Sequence, residues 1–306
     1  MALPEEYLQY PHRRHAMDHH RYRWSNLFER PAVRWKNDAR IALWVTVVSE
    51  FFPLNQQGKP FKPPGGMVTP YPDFRHYSSR DYGNRVGIFR LFKVFERLGI
   101  KATVAMNAAV AERYPFLARQ VIDRGYEIIC HGYDMDSLHY SGMSEEEERT
   151  LIAKSRQIIS QVTGIIPQGW LSPASSESFL TPDLVQEEGF TYFCDWANDE
   201  MPYEFTTRKG KLLAMPYSEE ISDRQIIFGY HHTEEQFAEQ VKDQFHVLLA
   251  ESNRYGGRIL SIVLYPYISG LPYRIDIVEN MLRYIVQRPG VWSATASEIA
   301  HCFMNQ

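Results

Sequence analysis

Short apolar runs alternate with stretches of helical spacing along most of the chain. The cleanest run, Ile41 to Val48, is rich in β-branched residues and reads as a buried strand within 40–48 that ends at Ser49 and Glu50. A helix is predicted over about 84–98, because Ile88, Leu91, Phe92 and Phe95 share one face and Gly99 supplies a stop. A strand over 101–107, a helix over roughly 108–124 and a strand over 126–131 follow. Ser144 and Glu147 have the spacing of a capping box for a helix reaching about Val162. Next come a short strand over 168–171, a helix opened by Thr181 and Pro182 and stopped by Gly189, and a strand over 191–194. Residues 212–216 and 224–228 read as strands in a less regular stretch. Thr233 and Gln236 then cap a helix carrying Phe237, Val241, Phe245, Leu248 and Leu249 at helical spacing. The chain closes with a strand over 258–264, a helix marked by Val278, Met281, Leu282 and Ile285, a strand over 291–294 and a terminal helix from about Ser297.

This β/α order implies a parallel sheet, and one continuous alternation favours a (β/α) barrel over an open sheet. Two stretches stand outside it. Residues 1–36 are polar and aromatic without a sustained period and read as an N-terminal arm docked on the body or on a neighbouring subunit. The remainder, 37–306, reads as a single domain interrupted by a long loop over 53–83, rich in Pro, Gly and aromatics. That loop leaves directly from the Glu50 strand end, so it is expected to wall the site or form a subunit contact. These two aromatic segments make a homo-oligomer an expectation.

Composition narrows the partners. A net charge of −4 and a pI near 6.3 give no electrostatic reason to expect nucleic acid or an anionic membrane. No apolar run is long enough to span a bilayer as a helix, and the N-terminus lacks a signal-peptide pattern. Three widely spaced cysteines, Cys130, Cys194 and Cys302, fit reduced thiols in a cytoplasm better than a disulfide framework.

The chemistry gathers at the predicted C-terminal strand ends: Glu50; His131 with Asp134 and Asp136; Trp170 with Ser172; Asp195 with Asn198 and Asp199; and Tyr265. In a barrel these face one mouth. No dinucleotide fingerprint, Walker loop or nucleophile elbow is present, so a nucleotide cofactor and a serine nucleophile are not expected. A carboxylate with a histidine suits water activation and leaving-group protonation, which is hydrolysis. His12, His15, His19 and His20 read as part of the docked arm rather than a metal site.

At Asn37 to Leu43, Tyr82 to Arg90, Cys130 to Tyr133, Gly169 and Trp170, Asp195 to Tyr203, and Leu264 to Ile275, the chain resembles the polysaccharide deacetylase (NodB-homology) superfamily. The likeness is closer to its cytoplasmic branch of PuuE-type allantoinases and cyclic imide hydrolases. The six blocks in this order are specific together and extend over most of 37–300. The resemblance implies a distorted (β/α) barrel of about seven strands.

It also implies positions for catalysis and metal, and here the chain departs from the pattern. Where the superfamily has Thr-Phe-Asp-Asp, with a base and a metal ligand, this chain has Glu50 and Phe51. Where two metal histidines are expected, only His131 remains and Met135 takes the second place. An arginine expected near Trp170 reads Leu171, and the late histidine reads Tyr265. Glu50 and His131 fit the allantoinase-like branch; Tyr265 departs even from that.

The reading that follows is a cytoplasmic hydrolase of non-peptide C–N bonds in a small cyclic amide, ureide or imide, with no cofactor or metal. Glu50 is assigned as general base, His131 as the group orienting water or donating a proton, and Tyr265 as a hydrogen-bond donor. Trp170, Ser172, Asp195, Asn198 and Tyr71 are assigned to the substrate, Trp170 and the 71–77 segment as walls, Asp195 and Asn198 on its polar edges. Two alternatives stay open. One is a zinc-dependent deacetylase of carbohydrate N-acetyl groups with a rebuilt ligand set drawn from His131, His139, Asp134, Asp136 and Glu50. The other is an inactive relative that binds small molecules.

Overall fold

A central parallel sheet organises the computed structural model, which describes residues 19–66 and 72–306. Among these residues nine strands form one sheet: β1 (Ile41–Ser49), β2 (Ala102–Met106), β3 (Glu127–Cys130), β4 (Gly169–Trp170), β5 (Tyr192–Phe193), β6 (Tyr203–Thr207), β7 (Gly210–Ala214), β8 (Arg258–Leu264) and β9 (Val291–Ser293). The order is β6-β7-β5-β4-β3-β2-β1-β8, with β9 alongside β1. Every pairing is parallel except the β6–β7 hairpin. The sheet curls into a half-barrel with helices packed on it, which is the distorted (β/α) barrel expected. All residues of β1 and β8 are buried, which is why both read as unbroken apolar runs rather than alternating ones.

The helices among the described residues are α1 (Phe74–Tyr82), α2 (Ile88–Leu98), α3 (Ala108–Arg113), α4 (Pro115–Asp123), α5 (Glu145–Thr163), α6 (Thr181–Glu187), α7 (Glu234–Tyr255), α8 (Pro266–Ser269), α9 (Ile275–Val286) and α10 (Ala296–Met304). Helix α2 buries the predicted face of Ile88, Leu91, Phe92 and Phe95 and ends at Gly99 in the left-handed region, φ 66°. The capping boxes of Ser144 with Glu147 and of Thr233 with Gln236 open α5 and α7 as their spacing predicts. None of the helices among the described residues is long and apolar enough to cross a membrane.

Three local expectations are corrected, and one strand is added. The helix read over 108–124 is two, α3 and α4, because Pro115 cannot continue the first and instead starts the second. Residues 224–228 are not a strand but a π-helical turn, Arg224–Gly229. The 53–83 loop contains α1, whose N-cap Asp73 accepts the His76 amide at 2.9 Å. Residues after Asn198 include β6, which pairs with β7 across the tight turn at Arg208 and Lys209.

The arm is described from His19 onward, and His12, His15 and Tyr71 lie outside the described residues. Arg21 forms a two-pronged pair with Asp183 at 2.7 and 2.9 Å, and its backbone carbonyl accepts the Thr206 amide. His19 packs against Tyr22 and Trp196. Asp199, grouped by sequence with the site, instead pairs with Arg30.

Candidate active site

The C-terminal ends of β1, β3, β4, β5, β7 and β8 converge on a cavity of about 250 Å³. Glu50 enters from β1, His131 from β3, Leu171 from β4, Cys194 and Asp195 from β5, Tyr265 from β8. Tyr217, Glu219 and Arg224 enter from the segment after β7, and Pro64 from the loop after β1. A larger hollow of about 470 Å³ lies between residues 22–33 and β6. It collects none of the histidine and carboxylate pairs, so chemistry rather than size selects the smaller one.

Glu50 is 7% exposed, and its backbone is fixed on both sides. Asn84 Nδ2 donates to the Glu50 carbonyl at 2.9 Å, and Asn84 Oδ1 accepts the Ser49 hydroxyl at 2.8 Å. Asn107 Oδ1 takes the Phe51 amide at 2.8 Å and its Nδ2 donates to the His131 carbonyl, so one amide ties the ends of β1 and β3 together. His131 Nδ1 lies 2.9 Å from the Leu171 carbonyl. A carbonyl can only accept, so Nδ1 carries the proton and Nε2 of the neutral ring presents a lone pair. That Nε2 lies 4.0 Å from Glu50 Oε1, a span that one water, at about 2.8 Å from each, bridges. Gly132 makes the turn away from His131 possible: its φ is 62°, and a Cβ there would lie 2.4 Å from Pro173 Cγ.

Asp195 supports the same histidine indirectly. It accepts the Ser172 amide at 2.7 Å and the Ser172 hydroxyl at 2.8 Å, while Trp170 Nε1 donates to that hydroxyl oxygen at 2.8 Å. Burial pushes the Asp195 carboxyl up to about 6. Burial, and then the Asp195 charge, push the neighbouring Glu177 well above the carboxylate range. Burial and their mutual repulsion thus oppose ionisation of both acids together, and Glu177 Oε2 accepts Trp196 Nε1 at 2.7 Å.

Several sequence assignments move. Trp170 is fully buried and Ser172 is buried behind Asp195; neither lines the cavity. Both shape it from behind, Ser172 by fixing the strand end that carries the Leu171 carbonyl. Asn198 faces away, bonded to Tyr22 and Tyr203 at 2.7 Å each. The Tyr265 hydroxyl does reach the cavity, but it donates to Glu219 Oε1 at 2.6 Å. Arg224 Nη2 donates to the same oxygen at 2.8 Å, and the guanidinium lies 4.7 Å from the centre of the Tyr265 ring. Glu219 and Arg224 do not stand out in the sequence, because 224–228 reads there as a strand whereas the structure makes it a π-helical turn. The signal that could have found them is Asp223-Arg224, a charged pair shortly after a predicted strand end.

The resemblance implies positions for metal ligands, so the donor set here matters. Phe51 is buried with its ring 4.5 Å from the Arg113 guanidinium, and Met135 is 1% exposed. A phenyl ring is no ligand, and a thioether is a poor one for a hard divalent cation. The rebuilt set is dispersed. Asp136 accepts the amides of Gln57 and Gly58 at 2.7 and 2.9 Å, clamping the loop after β1, and Asp134 accepts the Asp136 amide at 3.0 Å. His139 is fully buried and pairs through Nδ1 with Glu148 at 3.2 Å. Among the described residues no three His, Cys, Asp or Glu side chains come together as a metal-holding group. The residues present do not fit a metal centre.

A polysaccharide deacetylase family model matches residues 72–193. The chain is 23% identical to a peptidoglycan deacetylase of Helicobacter pylori over 74% of this chain and 86% of that protein. It is 23% identical to a peptidoglycan deacetylase-like protein of Gibberella zeae over 74% of this chain and 78% of the other. Among solved structures, PuuE allantoinase superposes with a TM-score of 0.81 at 28% identity, over 91% of this chain and 95% of that one. A probable polysaccharide deacetylase from Pseudomonas aeruginosa PAO1 gives 0.81 at 29%, over 92% and 98%. The chain thus has the deacetylase-type distorted (β/α) barrel, and over residues 72–193 it is similar to polysaccharide deacetylases.

Proposed function

We propose that this protein hydrolyses a carbon–nitrogen bond of a small cyclic amide, ureide or imide, with Glu50 as general base and without a metal. The observation that carries the reading is the Glu50–His131 pair, 4.0 Å apart in the 250 Å³ cavity, where the remaining donor set does not fit a metal. The likeness to an allantoinase structure supports a C–N hydrolase.

A water between the two groups donates one hydrogen to the Glu50 carboxylate and the other to His131 Nε2, leaving an oxygen lone pair free for a carbonyl carbon. As the C–O bond forms, the water proton passes to Glu50. As the C–N bond breaks, that proton is returned to the departing nitrogen, either directly or through His131. The product is the ring-opened carboxylic acid bearing the freed N–H. Acetamide is a poor electrophile with a poor leaving group and depends on a Lewis acid. A ureide or imide carbonyl is more electrophilic and its nitrogen leaves more readily, so a positioned carboxylate base suffices. The cavity is small for a polymer and suited to one ring.

Ring opening of hydantoin, dihydrouracil, allantoin and succinimide by the purified full chain, followed as loss of ring ultraviolet absorbance and appearance of the open acid, tests this. Turnover of at least one ring is expected. Turnover of N-acetylated sugar oligomers and of none of the rings would reject it.

A further inference from the structure

A cavity built to activate water must also accept the negative charge that moves onto the carbonyl oxygen. Its walls carry the carboxyl groups of Glu50, Asp195 and Glu219, and an oxyanion forming beside any of them is opposed. Among the described residues lining the cavity, Arg224 is the one arginine or lysine. Its guanidinium is held rather than free: Nη2 is anchored on Glu219 Oε1 at 2.8 Å, and its plane is seated against the Tyr265 ring, 4.7 Å from the ring centre. Glu219 is itself fixed by the Tyr265 hydroxyl at 2.6 Å. Tyr265 is held in turn, since its backbone amide donates to both oxygens of Asp223 at 3.0 Å, and Asp223 also accepts the Ser269 hydroxyl at 2.5 Å. Fixed donors of this kind need no reorganisation when charge develops, which is the condition for electrostatic catalysis.

We propose that Arg224 is a catalytic residue of this site, its guanidinium N–H groups binding the attacked carbonyl oxygen and holding the oxyanion, with Glu219 and Tyr265 as positioning residues. This rests on the hydrolase reading above. It also fixes the substrate's orientation. The carbonyl oxygen points to the Arg224 and Tyr265 wall, and the scissile nitrogen points toward Asp195 and His131. Tyr265, whose hydroxyl is given to Glu219, acts through Arg224 rather than on the substrate.

The test compares wild type with Arg224→Met and Arg224→Lys in two assays. In ring-opening kinetics, Arg224→Met is expected to lower kcat by roughly 10²- to 10³-fold with a much smaller change in KM. Lysine, which keeps the charge but loses the fork, should recover part of the loss. Glu219→Gln should lower kcat less than Arg224→Met does. In calorimetry, the ring-opened carboxylates of hydantoin and succinimide place a carboxylate oxygen where the oxyanion stood. Wild type should bind at least one, and Arg224→Met should weaken that binding by at least about tenfold. Turnover with kcat of Arg224→Met within about threefold of wild type overturns the inference and leaves the hydrolase reading standing. Carboxylate binding that depends on Arg224, without turnover of any ring, leaves Arg224 an anion-binding residue and rejects both its catalytic role and the hydrolase reading. Absence of both binding and turnover rejects both.

Discussion

Replacing Glu50 by glutamine is expected to lower kcat for ring opening by about 10³-fold while leaving the fold and KM nearly unchanged. Glutamine has nearly the same size and still bonds to water, but it cannot take the proton that water must lose. The contacts that position residue 50 are backbone ones, from Asn84 Nδ2 to its carbonyl and from the Phe51 amide to Asn107, so they survive the change. His131 remains, 4.0 Å from the old carboxylate position, and can act as a weaker base through Nε2; this is why the loss is finite. Steady-state kinetics with melting curves on the same samples separate the two effects. Equal kcat in wild type and Glu50→Gln, with both folded, would remove Glu50 from the mechanism.

The largest expected loss of stability comes from a site that sequence alone places among possible metal ligands. His139 and Glu148 are a buried pair, their side chains 0% and 1% exposed. Glu148 also accepts the hydroxyls of Ser178, at 2.6 Å, and Thr181. Truncation by Glu148→Ala strands a buried imidazole and two hydroxyls, and is expected to cost about 3 kcal/mol, a fall in Tm of roughly 6 °C. The pair lies outside the cavity lining, so kcat per folded molecule should change little. Burial pushes the Glu148 carboxyl up, but the bonds from His139, Ser178 and Thr181 outweigh it and hold the group below its ordinary value of 4.5. A lowered folded-state value means the contribution is fully present above about 4.5 and is lost as pH falls through the lower folded-state value. Wild type should therefore lose stability relative to Glu148→Ala as the pH drops below that point. Thermal melts from pH 7 to pH 3 measure this, and a constant difference across the range would contradict it.

What was legible in the chain follows from where side chains are buried. Strands such as β1 and β8 are covered on both faces, so apolar runs mark them and their C-terminal ends point to the cavity. Glu50, His131, Asp195 and Tyr265 all line it for that reason. Position along a strand does not say which face a residue takes after the strand ends. Trp170 turns into the core and Asn198 turns outward to Tyr22, although both sit near the same strand ends as true lining residues. Asp134, Asp136 and His139 are close in sequence, yet their side chains bond to different groups: Asp134 to the Asp136 amide, Asp136 to the Gln57 and Gly58 amides, His139 to Glu148. Arg224 is hidden in the sequence for the opposite reason. It stands in a π-helical turn that the apolar pattern presents as a strand, and its position depends on the side chains of Glu219 and Tyr265, which lie far apart in sequence.

The claim that the barrel performs C–N hydrolysis without a metal is tested most directly by measuring kcat/KM for ring opening before and after exhaustive chelation. Metal content would be determined by mass spectrometry on the same protein. Retention of full activity by protein holding far less than one metal ion per chain is the result predicted. Loss of activity on chelation, restored by one equivalent of zinc, would contradict it.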